Sequence, residues 1–184
     1  MNKANVIQEL KALASEGMPE EPEVAAVAEE AAPEAEEGGK AKKAAPPEPR
    51  KNGLLEVDYA RRGVHVDVQV AADQVVRAAE IVDAAGMTLE AVTGVDWIND
   101  KELEVVYDYA YTGGECFRVV VRARIPRDEA NIPTITEVFA GANWHERETF
   151  DFFGINFEGH PQLEYLLLPE DCDFHPLLKD FKGC

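Results

Sequence analysis

The chain has 184 residues, of which 46% are hydrophobic and 29% charged, so it can form one compact domain plus a tail. Its net charge of −18 argues against binding to nucleic acid or to an anionic membrane surface, because the interaction would be repulsive. The sequence shows no apolar stretch of roughly 20 residues, no signal peptide and no disulfide framework, and we expect a soluble cytoplasmic protein.

Residues 1–52 differ in composition from the rest of the chain. An apolar periodicity at residues 5–14 predicts a short helix, which could dock on a partner or on the domain because it is marginal alone. Residues 18–49 are dominated by Ala, Glu, Pro and Lys and lack aromatic residues, which predicts a disordered acidic linker. The folded domain should therefore comprise residues 53–184.

The domain begins with a strand pattern followed by a helix pattern. Strict alternation of apolar and polar residues at 63–70 predicts a half-buried strand. Residues 73–85 then show helical spacing, with Asp73 as the N-cap and Gly86 just beyond the end. These two patterns predict a strand and the helix that follows it.

Three more strands are predicted downstream. Residues 87–97 have an extended pattern, with Gly94 at a bulge. Residues 102–111 and 115–125 are rich in β-branched and aromatic residues, and the Thr112-Gly113-Gly114 turn between them predicts a hairpin.

One face of the second hairpin strand carries a row of arginines, although residues 53–184 are acidic. Arg118, Arg122 and Arg124 alternate with apolar residues. They could form a solvated sheet face, paired with cross-strand acids such as Glu104 or Asp108. They could instead form a docking face, in which case replacing all three by Gln should weaken assembly more than folding.

The last third of the domain combines helix signals with turn residues. A capping box at residues 134–137 predicts a short helix closed by Gly141, and residues 143–153 predict another that ends at Gly154. Residues 155–184 are interrupted by prolines, which predicts an extended wrapping segment. The fold class expected is α+β, with a mostly antiparallel mixed sheet, helices on one face and an irregular C-terminal extension.

The chain shows no motif for a cofactor of its own. It lacks the glycine-rich nucleotide loops and the nucleophile elbow, and three scattered cysteines cannot supply the four thiolates of an ordinary iron–sulfur cluster. Cys172 and His175 have a spacing that zinc can use, but no second pair completes a site. Loop residues with local hydrogen bonds are the better interpretation.

Charged and aromatic residues are interleaved at 144–153. Arg147 and Asp151 are at i and i+4 on the predicted helix and can pair, while Glu146 lies near its positive end. Glu146 and Glu148 cannot converge as a general acid and base, because residues at i and i+2 point to different sides. We interpret this stretch as a structural or interface ion network.

A family resemblance rests on three segments: AGANWHERETFDFFGINFEGHP (140–161), LLLPED (166–171) and HPLLKDF (175–181). They closely resemble the C subunit of the proton-pumping NADH-quinone oxidoreductase, the 30-kDa-subunit family of respiratory complex I. The resemblance extends over about residues 55–181. It implies signature or interface roles for Trp144, Glu146, Arg147, Glu148, Asp151, Gly154, Gly159, His160, Pro161, Pro169, His175, Pro176, Lys179 and Asp180.

The resemblance implies a role without catalysis by this chain. In that family the C subunit is a scaffold in the peripheral arm, on the cytoplasmic side of the inner membrane. It packs against the quinone-pocket (D-like) subunit and near the terminal-cluster (B- and I-like) subunits. NAD, FMN, iron–sulfur clusters and quinone would be held by other chains, and the membrane would be reached only through the complex. The alternative is the equivalent subunit of a group 4 nickel–iron hydrogenase, a formate hydrogenlyase or an F420-dependent dehydrogenase.

Three positions depart from the family pattern. Glu164, Tyr165 and Leu178 stand where the family usually has basic residues. In that family this segment lies against neighbouring subunits. The departure concerns the partners that the chain contacts rather than its fold.

Overall fold

The computed structural model describes residues 2–16 and 53–183. The predicted linker at residues 18–49 lies outside the described residues. No helix in the described part has the length and apolar character needed to cross a membrane. The helices are α1 (Lys3–Glu16), α2 (Tyr59–Arg62), α3 (Val75–Ala84) and α4 (Ala142–Phe153), and the strands are β1 (Gly53–Glu56), β2 (Val66–Val70), β3 (Thr88–Trp97), β4 (Glu102–Tyr111), β5 (Phe117–Pro126), β6 (Asn131–Pro133) and β7 (Asn156–Glu158).

Five strands form one mixed sheet in the order β1-β2-β5-β4-β3. The β2–β5 pair is parallel, and the other three neighbouring pairs are antiparallel. The hairpin of β4 and β5 therefore lies between β2 and β3, two strands that α3 connects in sequence. This arrangement confirms the predicted α+β class and the mostly antiparallel sheet.

The helices cover one face of the sheet. Val68, Val121 and Tyr107 lie opposite one another in register and are buried on this face. Helices α1 and α3 pack near β2 and β5, and α4 packs on β3. The buried residues of α1, including Leu10, join the same apolar core. The N-terminal helix therefore docks on the domain, which was one of its two predicted destinations.

The strand predicted at residues 63–70 forms as β2, but the prediction that it is half-buried is wrong. Asp67 and Gln69, expected on the solvated side, are only 2% and 1% exposed. Strand β2 lies between β1 and β5, and Arg122 of β5 donates from Nε to the Asp67 carboxylate at 2.9 Å. The buried Asp67 carboxylate is thus paired with a cation from the neighbouring strand.

Two local predictions for α3 and β3 need correction. Asp73 does not cap α3, because a 3-10 turn precedes the helix and the Gln74 side chain accepts from the backbone N–H of Ala71. Gly86 does follow the helix end, with φ of 72°. The irregularity in β3 lies between Leu89 and Ala91, not at Gly94.

The capping box predicted at residues 134–137 does not form a helix. These residues form a turn, and the Thr134 hydroxyl donates to the Glu146 carboxylate instead. Helix α4 begins at Ala142, close to the predicted start, and ends at Phe153, with Gly154 just after it as predicted. The short parallel pair of β6 and β7 was not predicted. Residues 159–183, here called the extension, contain neither helix nor strand, as expected.

Candidate functional site

Glu146 on α4 is fully buried and fixes the turn that precedes the helix. Its carboxylate accepts the backbone N–H of Ile135 at 2.9 Å and the hydroxyl of Thr134. Burial raises the pKa of Glu146 to about 7, because these two hydrogen bonds only partly offset the cost of removing the charge from water. Both carboxyl oxygens of Glu146 are therefore hydrogen-bonded within the chain.

His160 lies beside this carboxyl group as a neutral imidazole. Its Nδ1 accepts the backbone N–H of Gln162 at 3.1 Å, so Nε2 carries the proton. Nε2 lies 3.3 Å from the carbonyl oxygen of Asn143 and 3.9 Å from Oε2 of Glu146. Burial lowers the pKa of His160, so this contact joins a neutral ring to a carboxyl group rather than forming an ion pair.

Arg147 connects α4 to the extension. Its Nε and Nη2 donate to the carbonyl oxygens of Glu164 and Tyr165, each at 3.0 Å. Its guanidinium group also lies over the Trp144 ring, 5.5 Å from the centroid. The predicted pair with Asp151 is wrong, because both side chains bond to the extension instead of to each other.

Asp151 is fully buried and holds three consecutive backbone amides. Its Oδ2 accepts the N–H groups of residues 166, 167 and 168 at 3.0, 2.7 and 3.1 Å. Its backbone carbonyl oxygen lies 2.9 Å from Nδ1 of His175. One residue of α4 thus fixes two separate parts of the extension.

Gly154 lets the extension return across the end of α4. It has φ of 73°, and a Cβ there would lie 2.6 Å from Nε2 of His175. After the His175-Pro176 pair, the N–H of Leu177 donates to the carbonyl oxygen of Phe152 at 3.1 Å. The glycine therefore provides both the helix end and the space for the histidine ring.

A second ion cluster fixes the far end of the extension. Asp96 is 2% exposed and accepts from Nε and Nη2 of Arg127 at 3.2 and 3.3 Å. It also accepts the backbone N–H of Lys179 at 2.8 Å. Arg127 in turn binds the Asp180 carboxylate, and this hydrogen bond lowers the pKa of Asp180. Sequence reasoning missed Arg127, because its partners are 31 and 53 residues away.

The remaining signature residues lie at the surface or in turns. Glu148 is exposed on α4, and Gly159 adopts φ of 82° just before His160 and Pro161. Pro169 accepts the N–H of Cys172 at 3.1 Å through its carbonyl oxygen. The interface role of this set stays a prediction.

The arginine row has the geometry of the paired sheet face. Each guanidinium group meets carboxylates on a neighbouring strand or turn, and a docking role stays a prediction. The partners are Asp108 for Arg118, Asp67 and Glu104 for Arg122, and Glu102, Asp100 and Glu104 for Arg124.

Cys172 and His175 serve local contacts. The carbonyl oxygen of Cys172 accepts the Tyr165 hydroxyl at 2.8 Å, and His175 bonds to the Asp151 carbonyl. Within residues 2–16 and 53–183, no three His, Cys, Asp or Glu side chains are grouped so that they could hold a metal ion.

Comparison with known proteins connects this domain to respiratory enzymes. The family model for the respiratory-chain NADH dehydrogenase, 30 Kd subunit, matches residues 68–183. The NADH-quinone oxidoreductase C subunit of Roseiflexus castenholzii is 47% identical over 96 residues, which are 50% of this chain and 53% of that protein. The corresponding C subunit of Moorella thermoacetica is 36% identical over 125 residues, 66% of this chain and 84% of that one.

A relative from a different complex is similarly close. The F(420)H(2) dehydrogenase C subunit of Methanosarcina mazei is 42% identical over 94 residues, 50% of this chain and 59% of that protein. This chain spans about half the length of the first curated relatives that it matches.

Two solved structures share the fold. A chain of the membrane-bound sulfane sulfur reductase, an archaeal respiratory membrane complex, superposes with a TM-score of 0.59 at 30% identity, over 66% of this chain and 74% of that chain. The trypsin-resistant fragment of Nqo5 gives a TM-score of 0.51 at 27% identity, over 61% of this chain and 89% of that one.

Proposed function

The chain belongs to the family of the 30 Kd subunit of respiratory-chain NADH dehydrogenase, and from this premise we propose that it is a non-catalytic scaffold in the peripheral arm of a proton-translocating NADH-quinone oxidoreductase. In this role it supports the subunits that carry electrons from NADH to quinone. The proposal assigns the chain no active site of its own.

One observation carries the proposal. Glu146, Arg147 and Asp151, the charged residues at the centre of the signature, are all bound to backbone groups of this chain. Side chains held in this way position a segment of the protein, and they are not free to bind or transform a substrate. The result is a shaped surface made of α4 and the extension, which suits a scaffold.

The proposal includes partners, cofactors and location. The chain packs against a quinone-pocket (D-like) subunit and near the terminal-cluster (B- and I-like) subunits. NAD, FMN, the iron–sulfur clusters and quinone are bound by those and other subunits. The complex holds this chain peripherally on the cytoplasmic side of the inner membrane.

A mild-detergent pulldown of this chain from its own membranes, followed by mass spectrometry, tests the proposal. We expect the flavin- and NADH-binding subunits to be recovered together with the quinone-pocket subunit. Recovery of the chain alone, as a monomer in the soluble fraction, would reject a scaffold role and favour a free binding module.

A second candidate is the equivalent subunit of a related membrane-bound complex. The 42% identity to an F(420)H(2) dehydrogenase subunit and the likeness to a chain of a sulfane sulfur reductase favour it. Group 4 nickel–iron hydrogenases and formate hydrogenlyases belong to the same group of candidates. The same pulldown separates the two, because it would then recover an F420-oxidising or nickel-site subunit.

A further inference from the structure

Three large apolar side chains lie exposed along α4 and the extension. Trp144 is 61% exposed, Leu167 61% and Leu177 53%. We call these three residues the ridge. The other two large apolar side chains that are exposed in the described residues, Leu55 and Tyr59, lie in β1 and α2. The ridge residues are thus the large exposed apolar side chains that α4 and the extension contribute.

Trp144 is part of α4, and the backbones of the other two ridge residues are hydrogen-bonded to this helix. The N–H of Leu167 is bound by Asp151, and the N–H of Leu177 is bound by the carbonyl oxygen of Phe152. Trp144 lies about two turns before Asp151 on the same side of α4, because residues seven apart nearly align on a helix. A surface held so firmly loses little conformational entropy when a partner binds.

Carboxylates border the ridge. Glu148 is exposed on α4, and Glu164 is exposed where the extension crosses Arg147. Three more exposed acids, Glu170, Asp171 and Asp173, lie in the loop that the Tyr165 hydroxyl holds through the carbonyl oxygen of Cys172.

The charge of this border is strongly negative. Between Trp144 and Leu177 the sequence has one lysine or arginine, Arg147, and its guanidinium group is already engaged with two carbonyl oxygens. An acidic or weakly charged partner surface would be repelled here or leave the carboxylates uncompensated.

We propose that the ridge docks into an apolar cleft of a partner subunit whose rim carries arginine or lysine side chains. The inference rests on the proposed function, since it names the chemistry of the scaffold's partner. Apolar contacts at the centre and complementary charges at the rim are the usual division of roles in a protein interface.

Salt-dependent retention in the assembled complex tests the charged rim. The complex is captured through another subunit and washed with increasing sodium chloride, and the retained fraction of this chain is measured. The test variant combines Glu164→Gln, Glu170→Gln, Asp171→Asn and Asp173→Asn. The control variant makes the same charge change on the α1 and α3 side, at residues that are also exposed: Glu9→Gln, Glu16→Gln, Asp73→Asn and Asp83→Asn.

The two variants should behave differently. We expect the control to be released at the same salt concentration as the wild type. The test variant should be released at about half that concentration, because the attraction between its carboxylates and the basic rim of the partner is lost. Release of the test variant together with the control would overturn the basic-rim proposal. The proposed function fails separately, if the wild-type chain is not captured with any respiratory subunit.

A second pair of variants tests the apolar centre. Leu167→Ala should lower the retained fraction of this chain at every salt concentration, by a factor of up to about ten. Its salt dependence should stay that of the wild type. Leu55→Ala is the matched control, since Leu55 is 50% exposed on β1, away from the ridge. Equal retention of the two leucine variants would overturn the ridge as the docking surface.

Discussion

The carboxylate of Asp96 accepts the backbone N–H of Lys179 at 2.8 Å, although 83 residues separate them in the chain. Asp96 lies in β3 and Lys179 near the end of the extension. Arg127 completes this contact by bridging Asp96 and Asp180. The end of the extension is therefore attached to the sheet rather than to α4.

Asp96→Ala should loosen the end of the extension. Removing the buried carboxylate leaves the Lys179 N–H without its acceptor and weakens the hold on Arg127, at a cost of about 2 kcal/mol in the free energy of unfolding. Urea denaturation measures this cost, and tryptic cleavage after Lys179 should accelerate. Asp128→Ala, at an exposed acid, is the control. Equal cleavage rates in both variants would contradict the attachment.

Gly94→Ala should separate β3 from α4. A Cβ at this position would lie 2.4 Å from Cδ2 of Phe153, so the ring and the end of α4 must shift. We expect a loss of about 2 kcal/mol in the free energy of unfolding, as for other overpacked cores. Gly141→Ala is the control, since a Cβ there meets nothing within 4 Å. The second change Phe153→Leu should partly restore the stability of Gly94→Ala, and no restoration would argue against a steric cause.

Glu146 should make the protein less stable as the pH rises. Its pKa is about 7 in the folded state and 4.5 in the ordinary, unfolded reference, so the folded protein binds its proton more tightly. The resulting stabilisation is fully present below about pH 4.5 and is lost as the pH rises through 7. The pKa difference corresponds to about 3 kcal/mol.

Glu146→Gln isolates this contribution from the other titrating groups. The free energy of unfolding is measured from pH 4.5 to pH 8 for both proteins, and the wild-type value minus the variant value should fall with pH. His160 stays neutral in the upper part of this range, because burial lowers its pKa. A difference that rises with pH would mean that the folded state prefers the charged form of Glu146.

Arg122→Gln should destabilise the fold itself. Arg122 pairs with Asp67 at 2.9 Å and Glu104 at 3.4 Å, whose side chains are each only 3% exposed. Its removal takes away the cation that these two carboxylates share. Arg62 and Arg124 lie 3.7 Å from Asp67 and Glu104, respectively, and still offset part of the buried charge. We therefore expect a cost of about 2 kcal/mol. For this residue the geometry predicts a larger effect on folding than on assembly, contrary to the docking interpretation of the arginine row. Urea denaturation of the isolated chain measures the effect.

The control for this ion pair is Arg77→Gln. Arg77 bonds to Glu80 at 2.8 Å on α3, but both side chains are largely exposed. Exposed pairs are screened by solvent and contribute little, so this variant should keep nearly full stability. Similar stability of the two arginine variants would show that burial of Asp67 and Glu104 does not make Arg122 essential.

Periodicity and turn residues predicted the helices and strands of ten or more residues, but not the short elements β1, α2, β6 and β7. Strand β4 has the predicted bounds, and the positive φ angles of Gly86 and Gly154 agree with the predicted helix ends. These features depend on neighbours within a few residues, so the local sequence contains them. The same is true of the irregular extension, whose prolines interrupt helix and strand patterns.

The errors arose where distant residues decide the outcome. Asp67 is buried because Arg122, 55 residues later, pairs with it. The hydroxyl of Thr134 binds Glu146, 12 residues later, and is therefore not available to cap a local helix. Sequence patterns at one position cannot show which of these competing partners the tertiary fold brings into contact.

The sequence singled out the charged residues of α4, but it did not predict their hydrogen-bond partners. The family resemblance singled out Glu146, Arg147 and Asp151, whereas the i,i+4 rule gave Arg147 the wrong partner. The signal for the right partners lies in backbone groups, which every residue carries. No side-chain pattern could have revealed them.

Because α4 binds backbone groups of the extension, the path of the extension does not depend on its own side chains there. Arg147 binds the carbonyl oxygens of residues 164 and 165, and Asp151 binds the amides of residues 166–168. Any residue other than proline offers these groups, so the side chains at positions 164 and 165 can differ without redirecting the chain. Substitutions in residues 164–168 can thus change the charge and polarity of this surface while the path of its backbone stays the same.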